Sequence, residues 1–160
     1  YVPYVEGTGA KLTIVPADIE TFQINFELFE KALNPNVQAV LVNSPNNPSG
    51  VVYPAELLTE LNDMLKKQDH TIYVISDEPY IDLAYDGAAV PCALKYIDNL
   101  IICFSWSKSL SLPGERIGYT LVSPKCSDYA ELTGAIVLSN RTLGSVNAPA
   151  IWQKVIEKSI

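Results

Sequence analysis

Several things this sequence lacks narrow what it can be. It has a single histidine, His70, in the polar stretch "KKQDHT". No set of ligands therefore stands at zinc spacing, and His70 reads as a loop residue. Its three cysteines, Cys92, Cys103 and Cys126, are odd in number and form no C-x-x-C pair. That argues against a disulfide framework and makes a reducing, cytoplasmic setting the expectation. Cys103 lies in the apolar run "LIICF" and reads as a small hydrophobe. Basic residues are scarce: 11 Lys and Arg stand against 18 Asp and Glu, a net charge of −7. Nucleic acid and anionic membrane surfaces are not expected partners. The plain reading of the acidity is solubility. No apolar run approaches the ~18 residues of a membrane span. The opening "YVPYVEGTGAKL" lacks the basic-then-apolar order of a signal peptide. It also lacks an initiator methionine, which makes a piece of a longer protein the expectation. No P-loop, repeat, low-complexity tract or linker-like stretch occurs.

What is present is enough for a core: 160 residues, 48% of them apolar. Short β-rich runs alternate with helical patterns. Strands are expected at "KLTIVP" (11–16), "VQAVLVN" (37–43), "TIYVIS" (71–76), "NLIICFS" (99–105) and "RIGYTLVS" (116–123). The second has little polar alternation, as in a sheet covered on both sides. A short helix is expected at 25–33, with Phe26, Phe29 and Leu33 on one face. A longer one falls in "YPAELLTELNDMLKK", with Pro54 suited to its first turn and a stripe of Leu57, Leu58, Leu61, Met64 and Leu65. Two more fall near 126–139 and 146–159, the last with Ile151, Trp152, Val155 and Ile156 on one face. The alternation predicts an α/β fold, a mainly parallel sheet with helices on both faces. Such sheets bind ligands beyond the carboxyl ends of their strands. The loops after 43, 76 and 105 therefore carry the functional question.

"NSPNNPSG" (43–50) is punctuated by two prolines and a glycine, a rigid turn. It reads either as a plain strand-to-helix connector or as a frame that fixes an asparagine to donate to a ligand oxygen. "SDEPY" (76–80) places Asp77 at the end of a very apolar strand. A carboxylate there needs a partner, because an unpaired buried charge is costly. A helix cap is the plain reading; a Walker B element fails for want of a P-loop. "SWSKSLSLPGERIGY" (105–119) puts Lys108 just past a strand and Arg116 at the start of another. Each could be an ordinary surface cation. On a tight loop at a strand end, however, a lysine can be desolvated, which favours its neutral, nucleophilic form. The arginine offers a planar fork for a phosphate. Ser105 and Ser107 add hydroxyls. Together the loops supply a carboxylate, an amine, an amide, the phenol of Tyr80 and a phosphate fork. Pyridoxal phosphate has an aldehyde, a pyridine nitrogen, a phenolic oxygen and a phosphate to match them.

In this order, "SPNNPSG", "SDEPY" and "SWSKSLSLPGERIGY" resemble the class I/II aminotransferases of the fold-type I pyridoxal-phosphate family, over essentially the whole chain. The resemblance implies that Lys108 forms the imine with the cofactor and then moves the proton between the substrate Cα and the cofactor. It implies that Asp77 keeps the pyridine nitrogen protonated, and that Asn47 and Tyr80 hold the phenolic oxygen. Ser105 and Arg116 resemble phosphate ligands, Arg116 the bidentate one. The activity implied is ping-pong transfer of an amino group from an amino acid to a 2-oxo acid, in a homodimer.

The family also has a Gly-rich phosphate turn and a ring-stacking aromatic upstream, and a C-terminal small domain whose arginine grips the substrate carboxylate. Arg141 is the only arginine besides Arg116 and lies in the wrong region for that role. Residues 1–160 are therefore expected to be most of a large cofactor-binding domain, without the N-terminal segment and small domain. By itself the piece should bind the cofactor weakly, not turn over, and self-associate through exposed apolar surface. Carbon–sulfur lyases and aminocyclopropane-carboxylate synthases resemble the same motifs. A cofactor-binding regulatory domain is a further alternative, and a nucleotide-binding module is disfavoured.

Overall fold

The computed structural model describes residues 1–160. Its centre is a four-stranded sheet in the order β1 (Ala39–Asn43), β2 (Tyr73–Asp77), β3 (Leu100–Ser105) and β4 (Gly118–Val122). The first three strands are parallel, and β4 runs antiparallel to β3. The carboxyl ends of β1, β2 and β3 thus share one edge of the molecule. Because β4 is reversed, its first residue lies there too, with Gly118 opposite Ser105.

The main helix, α3 (Ala55–Lys66), connects β1 to β2. Pro54 caps it, one position earlier than its expected place in the first turn. Glu56 and Lys66 lie at the ends where the helix dipole favours them. Leu57, Leu58, Leu61 and Leu65 are buried against Val42, Val74, Leu100, Ile102 and Phe104 of the sheet. Each leucine contributes about 1.5–3 kcal/mol on burial. Leu61 is fully buried, so Leu61→Ala would cost about 2–5 kcal/mol. The alternate residues of the same strands, including Tyr73, Ile75, Asp77 and Cys103, face the other way. There the start of α4 (Tyr129–Thr142) is tied down by a hydrogen bond from the Tyr73 hydroxyl to Asp128.

A second helix, α2 (Phe26–Ala32), is capped by Asn25, whose side chain accepts from the Leu28 N–H at 3.0 Å, and it buries Phe29. The last helix, α5 (Ala150–Ser159), buries Ile156 but leaves Ile151 exposed. A short first helix, α1 (Val2–Glu6), had no signal in the sequence beyond Pro3.

One expected strand is absent. "KLTIVP" adopts no regular structure; Ile14 is exposed, and only Val15 reaches the core. The residues have strand propensity, but no neighbouring strand supplies partners for their N–H and C=O groups. All three cysteines are free. His70 sits in a loop, its Nε2 2.6 Å from the Val37 carbonyl oxygen. No helix is long and apolar enough to cross a membrane.

Candidate active site

At the shared strand edge, each loop begins where a strand loses its pairing. β1 ends at Asn43, which is 7% exposed and lies in register with Asp77. Its side-chain amide spans the two loops. Nδ2 donates to the Asp77 carbonyl at 2.8 Å, and Oδ1 accepts the Asn47 N–H at 2.9 Å. Asn46 stiffens the turn, accepting the Gly50 N–H on its carbonyl at 2.8 Å and the Ser49 hydroxyl on its side chain at 2.8 Å. Asn47 projects from this frame and donates through Nδ2 to the Tyr80 hydroxyl at 2.9 Å. Tyr80 in turn lies just before a 3₁₀ turn, Ile81–Leu83.

Asp77 does not cap a helix. Its Oδ2 accepts a 2.5 Å hydrogen bond from the Tyr1 hydroxyl, and its other carboxylate oxygen takes nothing from the protein. Burial first, and then the Asp77 carboxylate, push the Tyr1 phenol well above its ordinary range. The adjacent Glu78 faces the opposite side of the sheet, 9% exposed, with Ser76 Oγ donating to it at 2.7 Å. Burial pushes the Glu78 carboxyl up, while Ser76 acts in the other direction. Cys103 is the register neighbour of Asp77 on β3, and burial pushes its thiol up as well.

The third loop leaves β3 at Ser105. Lys108 Nζ stands 5.6 Å from the centre of the Tyr80 ring, a cation over an aromatic face. Lys108 is exposed, as in the plain reading of a surface cation. Its neighbour Ser109 has a buried hydroxyl without a partner. Two non-glycine residues with left-handed backbone, Ser111 (φ 53°) and Arg116 (φ 51°), bracket the turn back to β4. Non-glycine residues adopt that conformation at a cost, which marks the turn as held by its surroundings. The Arg116 guanidinium is exposed and donates to the Pro113 carbonyl at 2.8 Å, within its own turn.

Asn47, Tyr80 and Lys108 are thus in direct sequence of contact, and Asp77 joins them through Asn43. Ser105 and Arg116 reach the same edge through the β3–β4 pairing, with no hydrogen bond to the other four. Sequence reasoning missed Asn43 and Tyr1. The signal for Asn43 was the one used for Asp77, a polar residue ending an apolar strand. Tyr1 had none.

A mostly parallel sheet with helices packed on it is the large-domain architecture of the fold-type I aminotransferases. The chain matches the family described as "Aminotransferase class I and II" over residues 1–159, and it belongs to that family. A crystal structure of an aminotransferase from Eubacterium rectale superposes with a TM-score of 0.93 at 47% identity, covering 98% of this chain and 41% of that one. The aspartate aminotransferase of Thermotoga maritima is 33% identical over 153 residues, 94% of this chain and 39% of that protein. A probable N-acetyl-LL-diaminopimelate aminotransferase of Bacillus subtilis is 37% identical over 125 residues, 78% of this chain and 31% of that protein. The chain therefore spans well under half the length of these relatives.

Proposed function

We propose that the whole protein transfers an amino group from an amino acid to a 2-oxo acid, in two half-reactions, with pyridoxal phosphate as its cofactor. The donor set supports the fit. Asp77 keeps one carboxylate oxygen for a protonated ring nitrogen, and Asn47 and Tyr80 form an amide–phenol pair for a phenolic oxygen. Lys108 supplies the amine, and Ser105 and Arg116 stand ready for the phosphate, with the unpartnered Ser109 hydroxyl beside Lys108 as a further donor. When bound, the cofactor supplies an aldehyde for an amine and a ring that takes up electron density from the substrate Cα.

The protein's own residues do the rest. Lys108 would hold the cofactor when no substrate is present, and its free amine would take the proton from the substrate Cα and pass it on rather than return it to that carbon. Its place over the Tyr80 ring keeps the amine beside the phenolic side of the site. Asp77 opposes the positive charge of the ring nitrogen. Asn47 and Tyr80 would donate to the phenolic oxygen and stabilise negative charge on it. Arg116 offers two parallel N–H groups to a phosphate. Within this reading residues 1–160 are most of the cofactor domain of a cytoplasmic homodimer.

The single observation that carries the proposal is the continuous contact from Asn47 through Tyr80 to Lys108, tied by Asn43 to Asp77. The test is an absorbance spectrum of the whole protein with added pyridoxal phosphate. A visible band is expected that disappears in Lys108→Ala. A protein that shows no such band refutes the assignment. Assays for oxo-acid-dependent amino transfer, against release of pyruvate and ammonia, then separate an aminotransferase from a carbon–sulfur lyase.

A further inference from the structure

Asn43 touches none of the groups assigned to the ligand, yet it is among the most buried polar side chains in the chain. Burying an amide is costly unless both its ends are satisfied. Here each end is used on a different loop. Nδ2 holds the backbone of Asp77, and Oδ1 holds the backbone of Asn47. A secondary contact from Asn46 Nδ2, 3.3 Å from the Asn43 carbonyl, fixes the turn to the same residue. The amide is planar, so the positions of its donor and acceptor are rigidly related. The two loops it ties carry opposite demands. Asp77 serves a cationic nitrogen, and Asn47 with Tyr80 serves an anionic oxygen. On a rigid aromatic ligand those two atoms are a fixed distance apart, so the protein gains only if its two loops hold a matching distance.

We propose that Asn43 is a positioning residue that sets the spacing between Asp77 and the Asn47–Tyr80 pair, and so couples recognition of the two sides of the ligand ring. This rests on the function proposed above. No other residue type of similar size provides the bridge. Aspartate has no donor for the Asp77 carbonyl. Leucine satisfies neither backbone group, and each would be left unpaired. Glutamine carries the same two groups but places them one methylene further out.

The test uses the whole protein with pyridoxal phosphate as the probe. Affinity and the pH midpoint of the visible band are measured for the wild type, Asn43→Ala and Asn43→Gln, with circular dichroism as the check on folding. Asn43→Ala is expected to bind about tenfold more weakly, the scale of losing one or two buried hydrogen bonds. It is also expected to shift the pH midpoint of the band, although residue 43 does not touch the ligand. A role confined to folding would lower stability and leave that midpoint in place. If Asn43→Ala does not fold, Asn43→Gln decides the matter: it is expected to shift the midpoint in the same direction. A folded Asn43→Ala with wild-type affinity and midpoint, or an Asn43→Gln indistinguishable from wild type, overturns the proposal. In either case a persisting Lys108-dependent band leaves the functional assignment standing. Absence of that band in the wild type would refute the assignment itself.

Discussion

Gly118 is the position where the geometry makes the sharpest demand on the sequence. It begins β4 and faces Ser105 on β3. A Cβ added there would lie 2.2 Å from the Phe104 carbonyl oxygen and 3.0 Å from the Ser105 Cα. Both are backbone atoms of the adjacent strand, so no side-chain rotation can relieve the overlap. Adding a methyl group to a close-packed region typically costs 1–3 kcal/mol, and collision with backbone belongs at the upper end, about 3 kcal/mol. For a domain of this size that lowers Tm by roughly 6–12 °C. The damage should also reach function, because Phe104 and Ser105 are the last residues of the strand that launches the Lys108 loop. Gly118→Ala is therefore expected to lower Tm by that amount in a circular-dichroism melt and to weaken pyridoxal-phosphate binding. Gly114→Ala is the control: nothing lies within 4 Å of its added Cβ, and its backbone is not left-handed. It should melt within a degree or two of wild type. A Gly118→Ala protein as stable as the Gly114→Ala control would refute the claim that close approach of β3 and β4 requires glycine here.

Under the proposed function, replacing Arg116 with Gln removes the phosphate fork. It is expected to weaken pyridoxal-phosphate affinity about 10–100-fold, the range for charge-assisted hydrogen bonds, while the visible band at saturation stays in place. Unchanged affinity would remove Arg116 from the phosphate site. The Tyr73 phenol is pushed up to about 12, first by its hydrogen bond to Asp128 and then by burial. A raised value in the folded state means that this contribution to stability is complete below the ordinary tyrosine value of about 10 and is lost as pH rises through about 12. In an ultraviolet titration Asp128→Asn should move one tyrosine back to the ordinary range, and an identical titration curve would contradict the pairing. Lys66, at 2.5 Å, and then Lys125, at 3.3 Å, hold the Asp98 carboxyl below its usual range. That contribution is present above the unfolded carboxylate value and is lost as pH falls through the depressed one. Asp98→Asn should therefore lower the unfolding midpoint slightly at pH 7, with the difference closing in acid. A gap that is the same at pH 7 and pH 3 would show that the carboxylate's charge is not responsible.

Much of the fold was legible along the chain because its signals are local. The apolar runs ending at Asn43, Asp77 and Ser105 form β1, β2 and β3, and the leucine stripe after Pro54 buries itself as α3. Parallel strands end on one edge, so three motifs at three strand ends had to share a neighbourhood. Where sequence reasoning failed, the deciding partner was remote. "KLTIVP" has the composition of a strand but no strand beside it. Lys108 follows a buried strand, yet its loop leaves it exposed over Tyr80.

The sequence by itself determined β1 to β4, the helices α2 to α5 and which residue types stand at the strand ends. Those depend on side-chain periodicity, turn chemistry and propensity over a few neighbours. Only the tertiary structure decided that β4 runs backwards and so begins, two residues after Arg116, at the edge where β1, β2 and β3 end. It alone decided that Asn43 reaches across 34 residues of chain to the Asp77 carbonyl, and Tyr1 across 76 to its carboxylate. Hydrogen bonds between distant residues form only after the sheet has set the distances, and no local pattern records them.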